Sequence, residues 1–331
     1  MIKSQSTAKQ RAFPGLFRSI HPLAVMVIIF AAFPAIPLIG RFLSLGTEVV
    51  IWSLFALGFN ILLGYTGLTS FGHGAYFGIG AYGAAIAFLR LSHSLWLCLL
   101  IGTLVGGLFA ALVGLIVANK RGIYFSLLTI AFSQMFFFIA FRWDEFTGGE
   151  TGLTGIDRQT LKLVNLAVNL RNPIAYYYFV LAVFALCAVI IWRIVHSPFG
   201  RVLRAIKENE LRAKYLGYNT EAYKWAAFTI SGLFAALGGS LYTFLINSAY
   251  AFGLEWVQSG NVVMMTLLGG GTVSFFGPVV GAAIFITCRD LLSAYFEHWL
   301  LFYGLLFVIV ILYVPTGILG AAAKLRKKHK G

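Results

Sequence analysis

The sequence predicts an all-α polytopic membrane protein with about ten transmembrane helices and one compact basic helix on the cytoplasmic side between spans six and seven. Three observations predict it. The chain is 60% hydrophobic and only 11% charged, where a soluble domain carries about 25% charged residues. Its mean hydropathy is +0.86, and apolar runs such as 175–192 and 301–314 have the length a helix needs to cross a hydrocarbon core of roughly 30 Å. Glycine occupies 36 of 331 positions, which suits helices whose backbones approach closely in lipid.

Taken in order, residues 1–22 form a basic segment carrying Lys3, Lys9, Arg11 and Arg18. The apolar stretch behind it resembles a secretory signal, but it is long for an h-region and lacks a clear cleavage site, so a retained first span is expected. Apolar runs place spans near 23–43, 46–64, 71–90, 95–118, 123–141 and 173–196, then 223–246, a divided stretch over 254–293, and 299–320. Basic residues concentrate in four places: the N-terminal segment, the Lys120–Arg121 turn, the segment 197–222, and the tail 321–331. Cytoplasmic loops carry the excess of Lys and Arg, so all four are expected inside, with both termini cytoplasmic. An even number of crossings must then separate the middle segment from the tail. Residues 254–293 therefore cross twice, as two short spans broken around "GGGTVSFFGP" (269–278), and the chain is a single transmembrane domain over 1–331.

The loop 142–172 falls outside. Arg142, Arg158, Lys162 and Arg171 are matched there by Asp144, Glu145, Glu150 and Asp157, a balance that fits an external loop and a docking surface for a soluble partner. The net charge of +14 is explained by membrane orientation and needs no nucleic acid. Cys98, Cys187 and Cys288 lie far apart in or beside apolar runs, form no CxxC pair, and are read as small hydrophobes.

The stretch "SPFGRVLRAIKENELRAKYLG" (197–217) places Arg201, Arg204, Lys207, Arg212 and Lys214 between two apolar halves. Ser197 is a good N-cap, Pro198 suits the first helical position and Gly217 the left-handed C-cap. On a helical wheel Val202, Ile206, Ala213 and Leu216 share a stripe interrupted by Asn209. Arg204, Lys207 and Lys214 lie round the other side with Leu211 and Tyr215. One reading is an interfacial helix whose cations meet anionic headgroups. The other is a docking face, since an aromatic anchor inside a charged rim is how interface hot spots are built.

Five stretches give the chain a likeness: "LLGYTGLTSFGHGAYFGIGAYGAA" (62–85), "TGGETGLTGI" (147–156), the run from 201 to 242, "LLGGGTVSFFGPVVGAA" (267–283) and "LYVPTGILG" (312–320). In this order they resemble the LivM-type permeases of branched-chain amino acid ABC importers, over nearly the whole chain. The resemblance implies a multi-pass subunit of the bacterial cytoplasmic (inner) membrane. Its implied partners are a LivH-like second permease, two cytoplasmic ABC ATPases and an extracytoplasmic solute-binding protein. It also makes 197–217 similar to the coupling helix that importer permeases present to their ATPases, with Arg204, Lys207, Leu211, Lys214, Tyr215 and Gly217 as the coupling residues. The register departs from the family's "EAA…G" loop: counting back from Gly217 puts Leu211 where its Glu belongs, with Glu210 one place early. Asp144, Glu145 and Arg158 become the residues expected to dock the binding protein.

"GYTGLTSFGHG" (64–74) sets four glycines among hydroxyl and imidazole side chains between two apolar runs. Irregular backbone at membrane depth survives only when buried in protein or lining a wet cavity. With "GGGTVSFFGP" it reads either as path lining or gate, or as short cytoplasmic turns. Asn60, Tyr65, Thr69, Ser70, His73 and Gln134 are the path-lining candidates. A lone His without a nearby carboxylate or thiol also reads as a hydrogen-bonded structural residue, and buried amides serve as glue between helices.

Other function classes fit less well. An ion-coupled secondary transporter needs ionisable groups within its spans, and Glu48, Asp290 and Glu297 fall near span ends. No filter-like segment marks a channel. No HExxH, GxSxG or GxxxxGK[ST] occurs, nor any Gly-Lys dipeptide, so no enzyme and no P-loop are expected. The chain is expected to bind no cofactor or metal, with ATP used by partner subunits. The resemblance implies Leu, Ile or Val as cargo, while urea, short amides and aromatic acids stay open.

Overall fold

A computed structural model describes residues 26–28, 30–31, 42–158, 160–163, 166–271, 274–298, 301, 304–305, 308, 312 and 317–321. The basic segment 1–22 and nearly all of the tail 321–331 lie outside the described residues, as do most of the expected spans 23–43 and 299–320.

The α-helices whose bounds are described follow one another in this order. α1 (Leu43–Asn60) runs on without a break into a π-helical stretch, Ile61–Thr66. Then come α2 (His73–Arg90), α3 (Leu95–Val117), α4 (Gly122–Arg142) and the single turn α5 (Asp144–Thr147). They are followed by α6 (Pro173–His196), α7 (Pro198–Tyr215), α8 (Thr220–Ile246), α9 (Trp256–Gly269) and α10 (Gly277–Tyr295). One feature departs from the all-α expectation. Within the loop 142–172, β1 (Thr160–Leu163) pairs antiparallel with β2 (Leu166–Asn169).

Six helices among the described residues are long and apolar enough to cross a membrane: Leu43–Thr66, α3, α4, α6, α8 and α10. These match the expected spans 46–64, 95–118, 123–141, 173–196 and 223–246 and the second half of 254–293. The expected span 71–90 is helix α2, diluted by its glycines and closed by His73 and Arg90, and nearly all of it is buried inside the bundle. The break expected at 269–278 is present, between α9 and α10. With 14 residues, however, α9 rises only about 21 Å, short of the roughly 30 Å of a hydrocarbon core.

α8 runs through the middle of the bundle, packed on α1, α2 and α3, while α6 and α10 cover the rest of α1. Lipid tails are as apolar as leucine, so these contacts rest on close packing and interhelical hydrogen bonds. A Cβ at Gly80 would meet the Ala236 backbone, and one at Gly239 would meet the Phe77 backbone. At the same crossings Ser240 Oγ donates to Gly80 O (3.0 Å) and Thr243 Oγ1 to Ala81 O (3.2 Å). Most residues of the span Leu43–Thr66 are buried and few of those of α4, so the first is core and α4 is skin. Cys98 and Cys187 are buried free thiols and Cys288 is half-buried, in keeping with small hydrophobes.

Candidate functional site

The amphipathic helix α7 forms as its local signals require. Ser197 Oγ accepts from Gly200 N (3.5 Å), with Pro198 in the first turn. At the other end Gly217 takes φ +89°. Tyr218 N donates to Ala213 O (3.2 Å) and Gly217 N to Lys214 O (2.9 Å), the paired bonds of a Schellman cap. Between them the helix is kinked: Asn209 is extended at φ −160°, ψ 101°, and its Oδ1 accepts from Arg212 N (2.9 Å). Asn209 thus caps a second helical segment where the sequence suggested only a gap in a stripe.

Val202, Ile206 and Ala213 are buried with Tyr223 packed against them, as the wheel predicts. Leu216 is not; it follows the last helical residue and is 70% exposed, because the Schellman cap turns the chain away there. The expected outer face also divides. Leu211 (54% exposed) and Tyr215 (88%) stand out in solvent, and Lys214 pairs with Glu221 beside them (3.0 Å). Arg204 and Lys207 instead reach back into the protein. Arg204 Nη2 donates to Val195 O (2.9 Å), and its guanidinium lies 5.8 Å from the Tyr65 ring centre.

Lys207 Nζ donates to Gly64 O (2.7 Å). That carbonyl belongs to the last turn of the π-helical stretch, where helical carbonyls lack intrahelical partners and the dipole favours a cation. Burial lowers the Lys207 ammonium below the ordinary lysine value. A second fastening holds the far half of α7. Glu210 pairs with Arg121 of the α3–α4 turn (2.9 Å) and with Lys224 of α8 (3.0 Å), and accepts from Thr220 Oγ1 (3.1 Å). Lys224 is 1% exposed and Glu210 14%. Burial alone would raise the Glu210 carboxyl, but the hydrogen bonds and charges of Lys224, with Thr220 and Arg121, together hold it below the usual carboxylate range.

The first of these fastenings overlooks a cleft of about 420 Å³ lined by Gly64, Tyr65, Lys207, Gly271 and Ser274. The two glycine-broken segments meet here. Asn60 lies directly behind, fully buried, with neither amide atom hydrogen-bonded. A Cβ on Gly64 or on Gly271 would collide with its Oδ1, so glycine at both positions lets the two breaks close over the amide.

The other path-lining candidates are placed differently. Thr69 and Ser70 sit in the 67–72 turn, which α4 pins: Ser126 Oγ donates to Thr69 O (2.7 Å), and Phe71 N to Thr129 Oγ1 (3.2 Å). His73 is fully buried, its Nδ1 2.8 Å from Ser70 Oγ and its ring edge-on to Phe59, Tyr76 and Phe228. The cleft brings in Tyr65 but not Gln134, which is half-buried on α4. At the opposite end of the bundle Asp144 and Glu145 are exposed on α5. Arg158 is turned inward there, donating to Leu245 O (3.2 Å) over the Tyr176 ring. Reading the sequence missed the Glu210–Lys224 junction; the signal was a lysine near the start of an apolar helix.

Comparison with known proteins gives a consistent result. Residues 41–311 match the family described as the permease component of branched-chain amino acid transport systems. The chain is 27% identical to the high-affinity branched-chain amino acid transport system permease protein LivM of Salmonella typhimurium, and 26% identical to LivM of Escherichia coli K12. Both matches cover 95% of this chain and 76% of the relative. It is 26% identical to LivH of Salmonella typhimurium, over 81% of this chain and 91% of that protein. No solved structure matches it significantly.

Proposed function

The chain belongs to the family of permease components of branched-chain amino acid transport systems, and from that membership we propose that it is the membrane-spanning subunit of an ATP-driven importer of Leu, Ile and Val. In this reading it forms the translocation path with a LivH-like second permease. ATP is bound and hydrolysed by two separate cytoplasmic subunits, and an extracytoplasmic binding protein delivers the solute. Ten spans with both termini cytoplasmic put α7 inside and the loop 142–172 outside.

One observation carries the coupling role. α7 is clamped to the bundle by Glu210 and to the rim of the cleft by Lys207, while Leu211 and Tyr215 stand free on its outer side. A push on that side travels through Lys207 to the Gly64 carbonyl, beside the place where the two breaks meet. Arg204, Lys207 and Gly217 therefore serve coupling by holding and shaping the helix. Leu211, Lys214 and Tyr215 serve it by meeting the ATPase.

Inside-out and right-side-out vesicles carrying the full set of subunits test the reading. Uptake of labelled leucine is expected to require ATP on the cytoplasmic side, to stop with vanadate and to survive a protonophore. Uptake abolished by the protonophore and indifferent to vanadate would mean an ion-coupled secondary transporter.

A further inference from the structure

α3 and α4 both have the length and composition of membrane spans, yet they touch one another little beyond their connecting turn. Between them and α2 lies a slot of about 460 Å³. Its lining follows α2 from Ile79 to Leu91. That is about 18 Å of helix rise, close to the roughly 15 Å of hydrocarbon in one leaflet. The lining is almost wholly apolar: the Tyr82 hydroxyl is buried, and that of Thr147 is spent on Ala140 O and Trp143 O. A cavity of this kind stays free of water.

Three observations say what fills it. Ile101, Val105 and Phe109 form its α3 wall, one position round the helix from Leu100, Leu104 and Leu108, which are 55%, 57% and 58% exposed. Helix partners in membranes favour small and hydroxyl-bearing residues, so a bare leucine stripe is a surface for lipid, and the slot continues it. Spread over about 18 Å, the volume gives roughly 25 Å² in section, far too narrow for a helix about 10–12 Å across and suited to a single hydrocarbon chain. Described residues of the two outermost apolar runs also lie elsewhere, Phe30 against Phe184 of α6 and Gly317 against Gly270 at the end of α9.

The Leu91 end of the slot has the character of a headgroup level. Trp143 is 52% exposed, with its ring centre 5.0 Å from that of Phe146. The Arg90 guanidinium lies 4.9 Å from the Phe146 ring centre. Aromatic rings and outward-reaching Arg side chains gather where a span meets the interface. Arg90 is exposed and Nη2 donates to Glu145 O (3.1 Å). That bond takes one of five N–H donors, and among the described residues Arg90 has no carboxylate partner.

We propose that the slot binds one phospholipid of the bilayer, with an acyl chain between α2, α3 and α4 and the phosphate at Arg90. The chain fills the gap behind α4, the helix whose Ser126 and Thr129 pin the 67–72 turn. The site does not depend on which solute is carried.

The test uses the full chain purified in a mild detergent. Titration with phosphatidylethanolamine carrying brominated acyl chains should quench tryptophan emission saturably, and Trp143→Phe should remove most of the saturable part. Native mass spectrometry should show one phospholipid retained per chain. Val105→Trp puts a ring in the slot and should lower retention about tenfold, while Leu108→Trp, on the neighbouring leucine stripe, should leave it unchanged. Arg90→Gln loses the charged contact to phosphate and should weaken retention about threefold or more. Diacylglycerol, which lacks the phosphate, should bind wild type and Arg90→Gln alike. Quenching that never saturates in the wild-type chain, equal losses in Val105→Trp and Leu108→Trp, or retention indifferent to Arg90→Gln would overturn the assignment. Displacement of the lipid on assembly with the LivH-like permease would give the slot to that subunit and overturn it as well.

Discussion

Lys224 is a lysine with almost no access to water, held by one carboxylate. Removing one member of such a pair leaves the other charge buried and uncompensated, which costs about 3–5 kcal/mol. Glu210→Ala should therefore lower the thermal stability of the solubilised chain by about 3 kcal/mol, and adding Lys224→Met should restore most of it. A double variant as unstable as the single would show that the loss is packing and not charge. The pH dependence has a definite sign. The folded Glu210 carboxyl is held below its ordinary value. Its contribution is complete above the unfolded value of about 4.3 and is lost as pH falls through the lowered folded value. The wild-type melting midpoint should fall more steeply over that acid window than that of Glu210→Gln. This residue shows why site geometry was only partly legible. Ser197, Pro198 and Gly217 act on neighbours a few positions away, so their roles could be read directly. Glu210 draws partners from two other elements, and Lys207 bonds a carbonyl 143 positions away; no local pattern encodes either.

Helices were legible where hydropathy is continuous and less so where glycine, a bulge or a short strand intervenes. α2 lies inside the bundle, where lipid does not dictate its composition. The π-helical stretch is one extra residue per turn and leaves no periodic trace. The hairpin β1–β2 sits in a charged loop, where no alternation announced it. The same loop presents α5 with Asp144 and Glu145 outward, and a backbone bridge between Leu153 and Ala249 ties it to the end of α8. Glu145 O also accepts from Arg90 Nη2 (3.1 Å), so the exposed carboxylates ride on a fixed backbone. Reversing both charges, Asp144→Lys with Glu145→Lys, should weaken docking of the solute-binding protein mainly at low ionic strength, because exposed ion pairs are individually weak and screened by salt. Affinity measured at low and high salt checks it. Unchanged affinity at low salt would give the loop a structural role only.

For the whole molecule, two ends can be told apart among the described residues. α7, the 67–72 turn, the α3–α4 turn and the second glycine break share one. α5, the hairpin, the start of α1 and the end of α10 share the other. The basic loops gather at the first, as expected for the cytoplasmic side. Reporters fused after Lys207 and at the C-terminus should accordingly appear inside, and one after Glu150 outside. An external C-terminal reporter would mean an odd number of crossings after α7, and the ten-span arrangement would fail.

In the proposed coupling role, the outer side of α7 meets a separate ATPase. Leu211→Ala with Tyr215→Ala removes two apolar anchors whose side chains make no part of the buried Val202–Ile206–Ala213 cluster. Hot spots of this kind cost about 2 kcal/mol each, roughly thirtyfold in affinity. Lys207 is unsuitable for the control because it holds the cleft, so the charge-reversed comparison is Arg212→Glu with Lys214→Glu. Co-purification of the ATPase subunits with each variant is the direct measurement. ATPase recovery should be lost with the alanines, from a permease still inserted and monodisperse, and should fall less with the reversed charges. Full recovery with the alanines, and membrane-lipid dependence shifted only by the reversed charges, would make α7 an interfacial helix and not a coupling helix.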